Sequence, residues 1–458
     1  MLYDVCAVLA RLLCTIDFSR KASTIKPMDS NLIIQGGRKL SGTVEVRGSK
    51  NAATKLMIAS LLSDEPSVIE NVPFISDLDV TKELCEKIGS TVDISPDRIC
   101  HITTREVKTP LVPELSRKNR IPILALGPLL HRKGIAEVPV LGGCPIGHRP
   151  VNLHIEALQK MGARIERREN SYYAEAKELH GEHVIFPFPS VGATENVLLA
   201  ATLAHGTTII ENAAIEPEIT NLVDMLVGMG ADIAFNQVTR TVEIHGVSKL
   251  HGTTIRVMPD RNEIMSFAVA ALATEGSIFI PRIEASYLGS CINALQRVGG
   301  KIDEEEQGIR FSGRRPYKAI DIETGPHPGF MTDWQQPMCV LLTQAEGKSS
   351  IHETVYDDRF GYTKDLVRMG ARIEVDKTCP AKPCRFHGEY FHTAHIVGPA
   401  SLHAAELVVT DLRAGMAHII AALIASGESR ITGIDHIDRG YEEIDMRLRG
   451  LGADIIRA

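Results

Sequence analysis

Thr194–Ile210 reads TENVLLAATLAHGTTII, and this stretch decides the fold because its plan returns along the whole chain. Thr194 can cap a helix through Glu195–His205, Gly206 supplies the left-handed residue that ends it, and Thr207–Ile210 is a β-branched run suited to a buried strand. Pro217 opens a second helix at its first turn, where a missing N–H costs nothing. Ile219, Leu222, Val223 and Leu226 fall on one face of that helix. Ala231–Phe235 and Val242–Ile244 complete a strand and a hairpin partner. The unit is helix–strand–helix–strand–strand, an α/β module.

Two markers carry this unit through the sequence. The second helix ends in a recurring triplet: Ile88-Gly89-Ser90, Met161-Gly162-Ala163, Met229-Gly230-Ala231, Val298-Gly299-Gly300, Met369-Gly370-Ala371 and Leu451-Gly452-Ala453. Their first residues are 73, 68, 69, 71 and 82 apart. The first helix stops at Pro66, Gly134, Gly206, Gly276, Gly347 and Gly427, which are 68, 72, 70, 71 and 80 apart. Two independent markers with one period mean six copies of a unit of about 70 residues. A solenoid, a ring and two three-unit domains all share that period, and two helices per unit with variable loops favour globular domains. Function then belongs to the loops.

A chain of 458 residues exceeds one ordinary core, so two or more domains are expected. A net charge of -7 and a single Trp argue against a nucleic-acid binder, which needs a basic face and stacking platforms. The most apolar N-terminal run, Val5–Ile16, is interrupted by Arg11 and is too short for a membrane span or a secretory signal. Residues 1–27 read as a leader, disordered or an upstream extension, ahead of a first strand at Asn31–Gln35. Nine scattered cysteines form no disulfide framework. The close pair Cys379 and Cys384 encloses two prolines, a poor metal knuckle, so reduced thiols are expected instead of a zinc site.

Several loops carry chemistry-bearing residues. In Arg47-Gly48-Ser49-Lys50-Asn51-Ala52-Ala53, a glycine, a helix start and a lysine suit an anion, though the spacing is not that of a Walker loop. Leu141–Pro150 is glycine-rich, so Cys144 is expected on the surface, with Arg149 able to favour its thiolate. Asp333, in Pro326–Gln335, stands where a helix begins and is either an N-cap or a general base. Arg413 in Thr410-Asp411-Leu412-Arg413 and Arg439 in His436–Glu442 can clamp a carboxylate or phosphate, or simply pair with the adjacent Asp411 and Asp438. Arg120, Asp260 and Arg261 offer the same choice.

Taken in order, GSKNAA (48–53), ALGPL (125–129), GGCPIGHRPV (142–151), PSVGATEN (189–196), MPDRNE (258–263), PHPGFMTDWQ (326–335), TDLRAG (410–415) and HIDRGYE (436–442) resemble the UDP-N-acetylglucosamine enolpyruvyl transferase family. The resemblance runs from about Asn31 to the C-terminus. It implies a two-domain inside-out α/β barrel with three units per domain: residues 28–49 plus 259–458, and residues 50–258 bearing the Cys144 loop. It implies a cytoplasmic enzyme of peptidoglycan synthesis that joins phosphoenolpyruvate to the sugar 3′-hydroxyl, with no metal, cofactor, nucleic acid or membrane. Cys144 would be the general acid and Asp333 the base. Lys50, Arg149 and Arg439 would hold phosphoenolpyruvate, and Asp411 and Arg413 would support the cleft. Asn51, Arg120, Arg149, Pro150, Val151, Asn152, Leu153, Ser190, Val191, Gly192 and Val355 would meet the UDP-sugar.

Asn152 stands where the family usually has Asp, Pro145 and His148 are unusual beside Cys144, and Phe188 replaces a basic residue found in some members. The shikimate-pathway enolpyruvyl transferase, the nearest alternative, has Ser after the loop lysine and lacks the loop Cys, so Asn51 and Cys144 argue against it. A non-enzymatic repeat protein on the same scaffold would not keep Lys50, Cys144, Asp333 and Arg439 together.

Overall fold

The computed structural model describes residues 31–115, 119–142, 147, 150–380, 384, 386 and 388–458. The leader lies outside them.

Six small sheets, one per sequence unit, make up the strand framework of the described residues. One plan recurs. In the third unit Thr207–Glu211 pairs antiparallel with Thr241–His245, which pairs antiparallel with Asp232–Asn236, while His183–Ile185 runs parallel alongside. Ser67–Glu70, Ile99–Thr103 and Thr91–Ile94 repeat the trio, and Thr254–Arg256 supplies the parallel strand. The helices lie inside these sheets. All thirteen residues of the Arg261–Ala273 helix are buried, as is nearly all of Leu412–Ile424. A helix apolar on every side has to be enclosed, whereas strands such as Thr241–His245 alternate buried and exposed residues and can face water. The architecture is therefore α/β and inside-out.

Two hydrophobic cores form. One gathers Ala52 to Met258, and the other gathers Leu32 to Val44 with Ile264 to Ile455. Two strands of chain pass between them side by side, tied by Ser49 N–H to the Met258 carbonyl (2.7 Å) and Asp260 N–H to the Arg47 carbonyl (2.8 Å). Gly48 is required at this crossing, because a Cβ there would stand 1.9 Å from the Asn71 carbonyl oxygen. The first strand, Leu32–Gln35, is held between Glu428–Thr432 and Asp454–Arg457 near the far end of the chain.

Local readings needed one correction. The third unit's helix runs Val191–Ala201, not from Glu195, because Ser190 is the cap and accepts from Ala193 N–H. Thr194 lies one turn inside, where its hydroxyl accepts from Ala214 N–H instead. The long fifth spacing also has a local cause. Hairpin connections elsewhere are short, as at Ser95–Arg98 and Glu306–Gln307, but Arg372–Asp376 and Thr393–Gly398 are joined by residues 377–392.

Candidate active site

The crossing aligns the starts of three buried helices. Lys50 begins Lys50–Ala59, Arg261 begins Arg261–Ala273 and Leu412 begins Leu412–Ile424. Asp260 caps the second through Asn262 and Glu263 N–H, while its other oxygen accepts from Lys50 N–H at 3.1 Å. Unpaired N–H groups and helix dipoles at such ends favour anions.

Lys50 and Arg439 are far apart in sequence and meet on one carboxylate. Lys50 Nζ is 2.9 Å from Asp77 Oδ2, and Arg439 Nε donates to Asp77 Oδ1 at 3.0 Å. Burial pushes the Asp77 carboxyl up, but Lys50 and Arg439 outweigh it and hold the group below the usual carboxylate range. Arg439 does not take the adjacent Asp438 as its partner, since that carboxylate is bidentate to Arg457. Two cations thus converge on one acid, at helix starts whose dipoles favour anions.

Asp333 is not an N-cap. It sits within a short 3₁₀ turn, Thr332–Trp334, and its carboxylate receives Arg359 Nη2 at 2.7 Å and Arg413 Nε at 3.1 Å. Burial raises its proton affinity, yet the two guanidiniums hold it far below the normal range, so it is ionised at neutral pH. Asp411 in turn caps Leu412–Ile424 through Arg413 and Ala414 N–H, which aims Arg413 at Asp333. Arg413 also lies over the Tyr441 ring, 5.3 Å from its centroid, two residues from Arg439. The Lys50–Asp77–Arg439 and Asp333–Arg359–Arg413 clusters are thus joined through Tyr441 and Asp260.

Across the crossing, in the Ala52–Met258 core, two more helix starts converge. Val151 precedes the Asn152–Lys160 helix, and Ser190 precedes Val191–Ala201. His154 links them: its Nδ1 is 3.3 Å from Asn196 Nδ2, and a Cβ on Gly192 would stand 3.0 Å from its ring. Burial, aided by the positive Arg120 nearby, pushes the His154 pKa down to about 3. Gly192 and Arg120 thus stand near one neutral imidazole, with Leu153 adjacent to it in sequence and Ser190 and Val191 at the start of the helix that carries Gly192. Pro150 and Asn152 are exposed, with Asn152 Nδ2 donating to Glu156 at 3.3 Å, and Asn51 is half-buried one residue after Lys50. Val355 N–H donates to Glu353 Oε1 at 2.7 Å, and Thr332 beside Asp333 donates to Glu353 Oε2 at 2.7 Å. Cys144 and Arg149 lie outside the described residues, as do Pro145 and His148. Their neighbour Gly147 touches the other core: a Cβ there would fall 1.6 Å from Asp357 Oδ1.

A family model described as EPSP synthase (3-phosphoshikimate 1-carboxyvinyltransferase) matches residues 34–448. The chain belongs to this family. Within it, the chain is 46% identical over 437 residues to a UDP-N-acetylglucosamine 1-carboxyvinyltransferase of Protochlamydia amoebophila, covering 93% of each chain. It is 44% identical over 430 residues to the protein of that name from Chlamydia muridarum, covering 92% of this chain and 97% of the other. The fold is similar to the crystal structure of the enolpyruvyl transferase NikO from Streptomyces tendae, with TM-score 0.83 and 24% identity over 94% of this chain and 99% of that one.

For a carboxyvinyltransferase-family chain, several polar residues of this region were not evident in the sequence. Asp77, in the first turn of Ser76–Ile88, sat in no motif, and neither did Arg359 or Glu353. The signal for Arg359 is its total burial, which no charged side chain tolerates without a partner. Among the described residues, no helix is long and apolar enough to cross a membrane.

Proposed function

We propose that this chain transfers the enolpyruvyl group of phosphoenolpyruvate to the 3′-hydroxyl of UDP-N-acetylglucosamine, releasing phosphate, as a cytoplasmic step of peptidoglycan synthesis. The observation that carries the reading is the pairing of Lys50 and Arg439 on Asp77, together with an ionised Asp333 held by Arg359 and Arg413, in a chain 46% identical to a protein named for this activity. In this reading the working domains are residues 28–49 plus 259–458 and residues 50–258, with the reaction in the cleft between them.

Lys50, Arg439 and Arg149 hold the phosphate and carboxylate of phosphoenolpyruvate. Arg120, Asn51, residues 149–153, Ser190–Gly192 and Val355 hold the UDP-sugar. The sugar oxygen bonds to C2 of phosphoenolpyruvate, its proton passes to Asp333, and the Cys144 thiol gives a proton to C3. Return of a C3 proton to the Cys144 thiolate and cleavage of the bond from C2 to the phosphate oxygen, not that to the sugar, then release phosphate and leave the enol ether. Asp333 is a weak base while both guanidiniums face it. Phosphate charge arriving nearby offsets them and raises its proton affinity. Closing the Cys144 loop excludes water, which strengthens every cation's hold on the phosphate.

The test is phosphate release with phosphoenolpyruvate and either UDP-N-acetylglucosamine or shikimate 3-phosphate, with the product weighed by mass spectrometry. An enolpyruvyl UDP-sugar supports the reading. Turnover of shikimate 3-phosphate alone, or of neither acceptor, refutes it.

A further inference from the structure

The connection that lengthens the fifth spacing brings four soft donors together. His352 ends the Ala345–His352 strand, Cys379 and Cys384 lie within the 377–392 connection, and His392 closes it. Cys379 Sγ is 3.6 Å from His352 Nε2, and Cys384 Sγ is 3.6 Å from His392 Nε2. One ligand atom each from His352, Cys379 and His392 lies within 4.8 Å of the others, while Cys384 Sγ stands beside His392 outside that group and has to swing inward to become a fourth ligand. A tetrahedral zinc with Zn–S near 2.3 Å and Zn–N near 2.0 Å has S···N edges of about 3.5 Å.

The outer hydrogen bonds fix both rings in the ligating form. His392 Nδ1 lies 2.6 Å from the Tyr390 carbonyl, which can only accept, so Nδ1 carries the proton and Nε2 a lone pair. His352 Nδ1 faces Thr393 Oγ1 at 2.9 Å. That hydroxyl gives its own proton to the Thr378 carbonyl, so it accepts from Nδ1–H and leaves His352 Nε2 as a second lone pair. Metal-bound histidines are held this way, with the remote nitrogen donating outward. Two S–H···N hydrogen bonds are the competing arrangement, but they would use weak donors to hold together the lone pairs of two buried rings.

We propose that His352, Cys379, His392 and Cys384 form a closed structural zinc site, using none of the residues of the transferase reading. Binding releases two thiol protons and forms two Zn–S and two Zn–N bonds, leaving no open position for a reaction. Its effect is mechanical. Glu353 follows His352, donates its N–H to the His392 carbonyl at 2.8 Å, and uses its carboxylate to hold Thr332 and Val355. Clamping His352 to His392 therefore steadies the segment that carries Glu353, Val355 and Arg359. The sequence reading of Cys379 and Cys384 as plain reduced thiols missed both histidines, which lie 27 residues before the first cysteine and 8 after the second.

The test uses the full chain purified under reducing conditions without chelator. Expected are about one zinc per chain by elemental analysis and release of about two protons when the stripped protein is titrated with Zn²⁺. Co²⁺ should give intense tetrahedral bands with a thiolate charge-transfer band. Cys379→Ser combined with Cys384→Ser should abolish all three, while His395→Gln keeps them. If the double variant fails to fold, the wild-type Co²⁺ spectrum decides: a faint six-coordinate spectrum, or none, overturns the site. A Cys379–Cys384 disulfide in freshly reduced protein overturns it too. None of these readouts depends on enolpyruvyl transfer.

Discussion

Replacing Asp333 by asparagine tests the acid cluster and the chemistry together. The change preserves volume and one acceptor but removes the charge between Arg359, 2% exposed, and Arg413, 3% exposed. Their nitrogens stand 2.7 and 3.1 Å from that carboxylate, so two buried cations would lose the acid they share and keep only the weaker pull of Asp411 and Glu353 on one and Asp260 on the other. Deleting one partner of a buried pair costs about 3–5 kcal/mol. Asp333 is itself 19% exposed, which places the expected loss near the lower end, about 3 kcal/mol. At roughly 2–4 °C per kcal/mol, the melting temperature falls by about 6–12 °C. Turnover measured well below that temperature falls by about 10²–10⁴, the usual contribution of a positioned base. The pH dependence has a fixed sign. The folded pKa of Asp333 lies below its unfolded value, so its stabilisation is complete above about pH 5 and is lost as the pH drops below about 4. The melting gap between wild type and Asp333→Asn should be constant from neutral pH to about pH 5 and narrow in acid. Calorimetry from pH 3 to 8 with phosphate-release kinetics at 25 °C makes both measurements. A variant that melts with the wild type and turns over normally would end the case for Asp333 as a buried, ionised base.

Gly147→Ala should lower kcat/KM by about 10²-fold, because its Cβ would overlap Asp357 Oδ1 and displace the loop by about an ångström; the positive φ of 101° strains any side chain there, so stability should fall by about 1 kcal/mol. Wild-type kinetics in this variant would dissociate loop seating from catalysis. Lys50→Ala and Arg439→Ala should each raise the KM for phosphoenolpyruvate. Because both cations share Asp77, the double variant should deviate from additivity by about 0.5–3 kcal/mol, and strict additivity in a double-mutant cycle counts against a common anion site. Cys144→Ser should lose turnover at neutral pH while Cys144→Asp retains part of it, since a carboxylic acid can deliver the same proton; full activity of the serine variant removes the thiol from that role. Protease protection of residues 140–148 should increase on adding UDP-N-acetylglucosamine, and equal cleavage with and without it argues against loop closure.

The sixfold period was legible because Gly230 and its five counterparts all occupy left-handed positions, as do Gly206, Gly134, Gly347 and Gly427 of the other marker, though not Pro66 or Gly276. Helix boundaries were less so. Ser190 and Thr194 are both good caps, and only the seat of Thr194 against Ala214 N–H decides between them. The polar clusters were half legible. Lys50, Asp333, Arg413 and Arg439 stand in motifs, but what each one touches depends on closure over long sequence distances, 362 residues for Arg439 and Asp77. Reading neighbours along the chain pointed Arg439 to Asp438 and Arg413 to Asp411, whereas folding gives Asp438 to Arg457 and makes Asp411 a cap. His352 escaped notice for the same reason: a strand end separated by 27 residues from the cysteine it faces leaves no spacing signature.

The position of Leu32–Gln35 between Glu428–Thr432 and Asp454–Arg457 imposes an order on biosynthesis. Both neighbours emerge from the ribosome roughly 400 residues later, about 20–80 s at ordinary translation rates. Until then Leu32 and Ile34, each wholly enclosed at the end, have nowhere to go. The Ala52–Met258 core can assemble from chain already made, but the other must wait for nearly the last residue, so a stalled or truncated product carries a sticky, unpaired strand at its front.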